Sequence, residues 1–244
     1  MCWSVGATAV MLAGGTAATL VTARRGDPVA IPLTIGWFTL MEALQLWGYA
    51  ALDRCGTPSN DVVTYLAALH IAFQPMFINA FVMATVAPVR SALRRVGILA
   101  LCGLSAAVIL LQLYPFAWAG SCAPGAILCG QPLCTRAGDW HLAWDLPYNG
   151  LMNWTDLWLR QGWGFPTYQL TVFVLPLVYG AWRMVIYHGL VGPILSGMLT
   201  TDPNEMPAIW CLFSIGILVV ALVPPVRRIL SNPAARAAQS GGAA

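Results

Sequence analysis

Glu42 and His70 are the residues of this sequence whose types and placement point most directly to chemistry. Glu42 is the one carboxylate inside a long apolar run, and His70 stands in the next such run. Counting helical rise from the ends of those runs puts Glu42 ~20 Å above one face and His70 ~12 Å below the other, nearly the same depth in a ~30 Å hydrocarbon layer. Gln45 follows Glu42 by three residues and Gln74 follows His70 by four, so each helix carries a polar face. A carboxyl and an imidazole brought level could relay protons, hold a small ligand or bind a metal. The plain alternative is a hydrogen-bonded pair that fixes helix register.

His188 opens a second polar stretch, 187–211, which holds Gly189, Gly192 and Pro193, the acidic turn Asp202-Pro203-Asn204-Glu205 and the pair Trp210-Cys211. Proline removes an intrahelical bond, so the stretch either breaks its helix beside a cavity or only kinks it, and a packing kink is the expectation. Asp202 and Asn204 suit a helix cap, which leaves Glu205 free to serve a ligand or cation. Cys2 and Ser4 stand at a similar height, so Cys2, Ser4, Glu205, Trp210 and Cys211 form a candidate outer-end cluster, with Cys2 and Cys211 as packed thiols before a disulfide or a soft-metal pair. The same rise arithmetic puts His188 only ~6 Å from the opposite face, so a haem held between His70 and His188 meets a disagreement in depth unless that helix is broken.

These groups need helices in lipid to position them. The chain is 59% apolar and 9% charged, against roughly 25% charged in soluble domains, and its apolar runs are near 20 residues long. The expected fold is all-α: a polytopic membrane protein with seven spans near 2–21, 29–52, 62–87, 96–116, 167–182, 184–200 and 206–226. Residues 1–228 make one membrane domain and 229–244 a disordered tail rich in Ala, Gly and Ser. Residues 117–166 hold six of the eleven tryptophans and are expected to lie along the bilayer surface as interfacial helices forming a lid. Small-residue pairs Ala13/Ala17 and Gly14/Ala18 are expected to pack the first helix closely.

All twelve cations are arginine, and seven spans put nine on one side, leaving Arg54, Arg136 and Arg160 on the other. The positive-inside rule then places the amino terminus outside and the carboxyl terminus in the cytoplasm, as expected for a bacterial inner-membrane protein. Cys55, Cys122, Cys129 and Cys134 all fall outside, where two disulfides stapling the lid are expected, with three pairings open. Cys102 reads as an inert core thiol.

The absence of lysine excludes a retinal Schiff base. No P-loop, dinucleotide fingerprint, HExxH, GxSxG or basic nucleic-acid patch occurs. Hydrolases of the alkaline ceramidase type share the seven-span, amino-out topology, but their Ser-x-x-x-His and His-x-x-x-His patterns are missing, and a third histidine could come only from His141 in the lid. Met1-Cys2-Trp3-Ser4, the Glu42 segment and the region from His188 to Trp210-Cys211 resemble an uncharacterised bacterial family of multi-span membrane proteins that open Met-Cys-x-Ser. The resemblance implies no known activity, only that Cys2, Ser4, Glu42, Trp210 and Cys211 belong together. The leading expectation is a protein that binds or moves a small ligand or protons through Glu42 and His70, with the bilayer as its partner and no metal site or cofactor specified. A membrane-embedded enzyme acting on a lipid and an assembly subunit of a larger membrane complex are the alternatives.

Overall fold

The computed structural model describes residues 5–155, 165–213 and 216–233. Four long helices come first: α1 (Val5–Arg24), α2 (Ala30–Ala50), α3 (Pro58–Thr85) and α4 (Ala92–Gln112). The start signals are local. Pro58 opens α3, where its missing N–H does no harm, and the Ser91 hydroxyl caps α4 by accepting from Arg94 N at 3.3 Å. Each helix turns one stripe inward. On α2 the buried residues Ile31, Ile35, Phe38, Glu42, Gln45 and Gly48 recur every three to four positions. On α1 they are Thr8, Gly15, Ala18 and Thr22, so the close approach to α2 is made by Gly15 against Thr39, while Ala13, Gly14 and Ala17 face outward.

After the lid, α5 (Pro166–Val178) and α6 each carry a π-turn. In α6 the run Trp182–Gly189 passes through Leu190–Ile194 into Leu195–Leu199. The helix is therefore not broken at Pro193: a wider turn absorbs the proline's missing bond and the helix continues. Gly180, at φ 88°, makes the tight reversal between α5 and α6. The chain closes with α7 (Met206–Phe213), α8 (Gly216–Leu222) and α9 (Pro224–Leu230).

Among the described residues three helices, α1, α3 and α4, are long and apolar enough to cross a membrane, and a fourth if α7–α8 and α9 count as one bent span. The runs expected at 29–52, 167–182 and 184–200 exist as helices but fall short of that standard for physical reasons. Glu42 and Gln45 lower the hydropathy of α2, and α5 is only ~20 Å long.

The lid departs from expectation. Over 117–152 there is no α-helix; instead an antiparallel hairpin, β1 (Cys134–Ala137) with β2 (Leu142–Asp145), sits among turns and one short 3-10 turn at Gly150–Met152, after which 153–155 are helical and 156–164 of the expected lid lie outside the described residues. The fold is therefore not purely α. Gly120, Pro124, Gly125, Gly130, Pro132 and Gly138 interrupt the segment too often for helical turns to propagate. Its tryptophans divide: Trp144 is buried under the hairpin, whereas Trp118 and Trp154 are exposed. Two disulfides, Cys55–Cys134 and Cys122–Cys129, staple it.

Candidate ligand site in the helix bundle

Glu42 points from α2 toward α7 and α8. It is buried, its Oε2 has no hydrogen-bond partner among the described residues, and it lines a small cleft with Phe38, Thr39, Cys211 and Ile217. About 10 Å³ there is open to the centre of a water molecule, which is near the minimum for one water. An unpaired buried carboxyl is costly, and Glu42 is the one carboxyl among the buried side-chain groups of the described residues left without a partner.

His70 does not meet it. The His70 ring stacks on Trp37 at 4.6 Å, its Nε2–H donates to the Trp37 carbonyl at 2.7 Å, and its Nδ1 accepts from the Gln74 amide at 3.3 Å. Both ring nitrogens are used, so the neutral Nε2–H tautomer is satisfied where it stands. The Trp37 carbonyl belongs to a residue five positions before Glu42, about 7 Å lower along α2, which is why helices level in depth still fail to pair these side chains. Axial ligation of a haem does not fit a ring engaged on both sides.

Gln74 is the hub that connects them indirectly. It donates to His70 and to the Cys211 sulfur at 3.3 Å, and accepts from the Tyr168 hydroxyl at 2.6 Å. Cys211, a buried free thiol, lines the same cleft as Glu42. Tyr168 meets Trp210 edge to face at 5.5 Å, and the Trp210 indole N–H donates to His188 Nε2 at 3.2 Å. The π-turn of α6 matters here: Trp210 lies so close to Gly192 that a Cβ would come within 2.3 Å of its Nε1. The π-turn of α5 has a matching role, since the Thr171 carbonyl accepts from Asn79 at 2.9 Å. Glu42, Gln74, Tyr168, Cys211 and Trp210 thus form one connected interior, with His70 and His188 at its two ends. Tyr168 carried no signal in the sequence; it lies two residues into an unremarkable apolar run.

Of the outer-end candidates, Cys2 and Ser4 lie outside the described residues, Trp210 and Cys211 belong to the interior around Gln74, and Glu205 has partners of its own. Glu205 is fully buried beneath the lid, where its carboxylate accepts from the backbone N–H groups of Asp139, Trp140 and His141 and from the Thr200 hydroxyl. It is a lid anchor rather than a cation ligand.

His141 is the histidine that does dip in from the lid. Its Nδ1 accepts from Tyr49 Oη at 2.6 Å and its Nε2–H donates to Gln45 Oε1 at 3.1 Å, while the Gln45 amide donates to the Ala208 carbonyl. Gln45 and Tyr49 lie three and seven residues after Glu42, so one face of α2 carries the centre and the lid contact together. Burial lowers the His141 pKa to about 4. The unfolded chain takes up this proton near the ordinary 6.5, so stability is complete above that pH and falls as pH drops from about 6.5 to about 4, by about 3 kcal/mol in all. A pH series of unfolding in detergent checks it: His141→Gln flattens that window.

Arg136 completes the latch. It bonds Asp145 through Nε at 2.9 Å and Asp202 through Nη1 at 2.8 Å. Burial opposes the charged form of Asp202, but the Arg136 guanidinium together with the backbone N–H groups of Asn204 and Glu205 outweighs it and holds the carboxyl below its ordinary value.

The described residues hold no group of three or more His, Cys, Asp or Glu side chains placed for a metal ion. The chain is thus a mostly helical protein with candidate membrane-crossing helices, a disulfide-stapled lid and a buried polar interior centred on one unpaired carboxyl. Residues 6–231 match the model of a family of unknown function (DUF5765), and the chain belongs to that family. The match starts after Met1-Cys2-Trp3-Ser4. No curated protein and no solved structure matches the chain.

Proposed function

We propose that this chain is an integral membrane protein of the bacterial cytoplasmic membrane that binds a small ligand, or passes protons, at the Glu42 centre. The carrying observation is the Glu42 Oε2 atom, buried without a partner beside Cys211 in a protein whose other interior polar groups are largely satisfied. Such groups in lipid mark pathways and ligand sites more often than scaffolding. His70 enters this reading as a positioning residue acting through Gln74.

The same reading takes the chain across the bilayer seven times, amino terminus outside. Two sets of contacts at opposite helix ends support it. One joins the 51–57 turn and the 200–205 turn to the lid, through Cys55–Cys134, Ala137 N to Asp53 and Arg136 to Asp202. The other joins the α3 end to the chain's last turn, through Asn232 N to the Val86 carbonyl and Arg183 to the Ile229 carbonyl. Arg24, Arg25, Arg90, Arg94, Arg95, Arg183, Arg227 and Arg228 fall on the second side. No specific observation favours an enzyme or an assembly subunit over this reading.

The test is a pair of variants in proteoliposomes. Glu42→Met removes an unsatisfied buried group and raises unfolding stability by about 1–3 kcal/mol, while Glu42→Gln preserves shape. Both abolish proton uptake driven by an imposed membrane potential. Normal uptake in Glu42→Gln, together with a loss of stability in Glu42→Met, would show that the carboxyl is only structural.

A further inference from the structure

A cavity of about 820 Å³ opens sideways between α5 and α6 on the lid side, with Leu170, Phe173, Val174, Gly189, Pro193 and Ile194 among its lining residues. Its volume and apolar walls are those of a small-molecule site. Leu170, Val174 and Ile194 are exposed, as are Val178, Ile186, Leu190 and Met198 beside them, so in a membrane hydrocarbon lies against its mouth. Ile127, Gln169 and Met206 line this groove and also a narrow inner cavity of about 30 Å³, which Gln74, Tyr168 and Cys211 share. Cys211 in turn lines the Glu42 cleft. Three neighbouring cavities that share wall residues therefore lie in order between the groove mouth and the carboxyl.

The junction has its own chemistry. The Thr167 hydroxyl, in the groove lining, is buried without a hydrogen-bond partner among the described residues, and Gln169, two residues on, lines both the groove and the inner cavity. A hydroxyl and an amide offer donors and acceptors but no charge. Beyond them, the inner cavity has room for the centres of only about two waters, which admits a carboxyl group and not a phosphodiester.

Resting on the membrane reading above, we propose that the α5–α6 groove binds a long-chain fatty acid in its neutral form, drawn sideways from the lid-side leaflet, with its carboxyl at Thr167 and Gln169 and the path to Glu42 ahead of it.

Palmitic acid carrying a diazirine near its chain end is the probe, with the full chain in phosphatidylcholine nanodiscs and cross-linked peptides mapped after illumination. Saturable labelling on the segments around Leu170–Val174 and Gly189–Ile194, competed by unlabelled palmitic acid, is expected. Gly189→Leu blocks the groove without a backbone clash, because the nearest atom to a Cβ there is Phe173 Cε1 at 3.9 Å, and it lowers labelling about tenfold or more. Ile194→Trp, at a position exposed to the groove mouth, is the second blocking variant and does the same. Labelling spread evenly over every exposed helix, or labelling that survives both variants or excess palmitic acid, means annular lipid only and overturns the proposal. Glu42→Gln leaves the labelling in place, so loss of the groove signal with Glu42-dependent proton uptake intact sinks this inference alone.

Discussion

Replacing Glu205 by Gln frees the lid from the bundle and costs about 3–5 kcal/mol, the range for breaking a buried charged group away from its partners. The carboxylate receives three consecutive backbone N–H groups and the Thr200 hydroxyl, and a charged acceptor makes each of these bonds stronger than a neutral one. Glutamine has the same shape but turns one acceptor into an NH₂ donor that faces the N–H groups of the 139–141 turn. It cannot rotate away, because Gly138 closes over it so tightly that a Cβ there would lie 2.6 Å from the Glu205 carboxyl carbon. The expected signature is local: fast hydrogen exchange at the amides of Asp139, Trp140 and His141, and proteolysis within the hairpin, while α1–α4 stay protected. Because His141 hangs from this turn, its bonds to Tyr49 and Gln45 are lost as well. Wild-type exchange at those three amides in Glu205→Gln would mean that the carboxylate does not hold the lid.

That anchor shows where the sequence was readable and where it was not. Glu205 stood out as an acidic residue at a helix end, yet nothing in its spacing could say that backbone, not a cation, would meet it. The long helices were legible because length and apolarity mark a candidate span in the sequence itself: α1, α3 and α4 fall where 2–21, 62–87 and 96–116 were expected, within a few residues. So was the choice of inward faces, since Glu42, Gln45, His70 and Gln74 are all buried. Azimuth was not legible. Rise arithmetic ranks residues by depth alone, and His70 turned toward the Trp37 carbonyl instead of Glu42. The lid was misread because tryptophan content reports affinity for the interface, not backbone shape; the run of glycines and prolines was the better guide to a hairpin. The asparagines that tie the lid down were missed for the same reason. Asn60 reaches the Thr135 and Ala51 carbonyls, and Asn149 the Leu111 and Tyr114 carbonyls, by contacts remote in sequence.

Removing the Cys55–Cys134 bridge as Cys55→Ser with Cys134→Ser costs about 4.5 kcal/mol against a denaturant-unfolded reference, by the loop-closure relation for a bridge spanning 79 residues. The same relation gives about 2.5 kcal/mol for Cys122–Cys129, whose separation is 7. The long loop encloses α3 and α4, so a reference state that keeps those helices in detergent micelles is already partly closed and the measured loss shrinks toward the smaller value. Comparing unfolding in urea with unfolding in dodecyl sulfate separates the two contributions. What remains after the bridge is cut is the polar clamp beneath it, where Thr135 pairs its hydroxyl with Thr64 and its backbone with Asn60 and Asp53. The native lid therefore stays docked at neutral pH and loosens on acidification, when His141 protonates and its Nδ1 can no longer accept from Tyr49. The bridge also reports sidedness. Both disulfides belong to the lid face, so in intact cells a membrane-impermeant reductant frees Cys55 and Cys134 for alkylation without lysis if that face is outside. Alkylation that appears only after the cells are opened reverses the orientation and with it the leaflet from which the α5–α6 groove could fill.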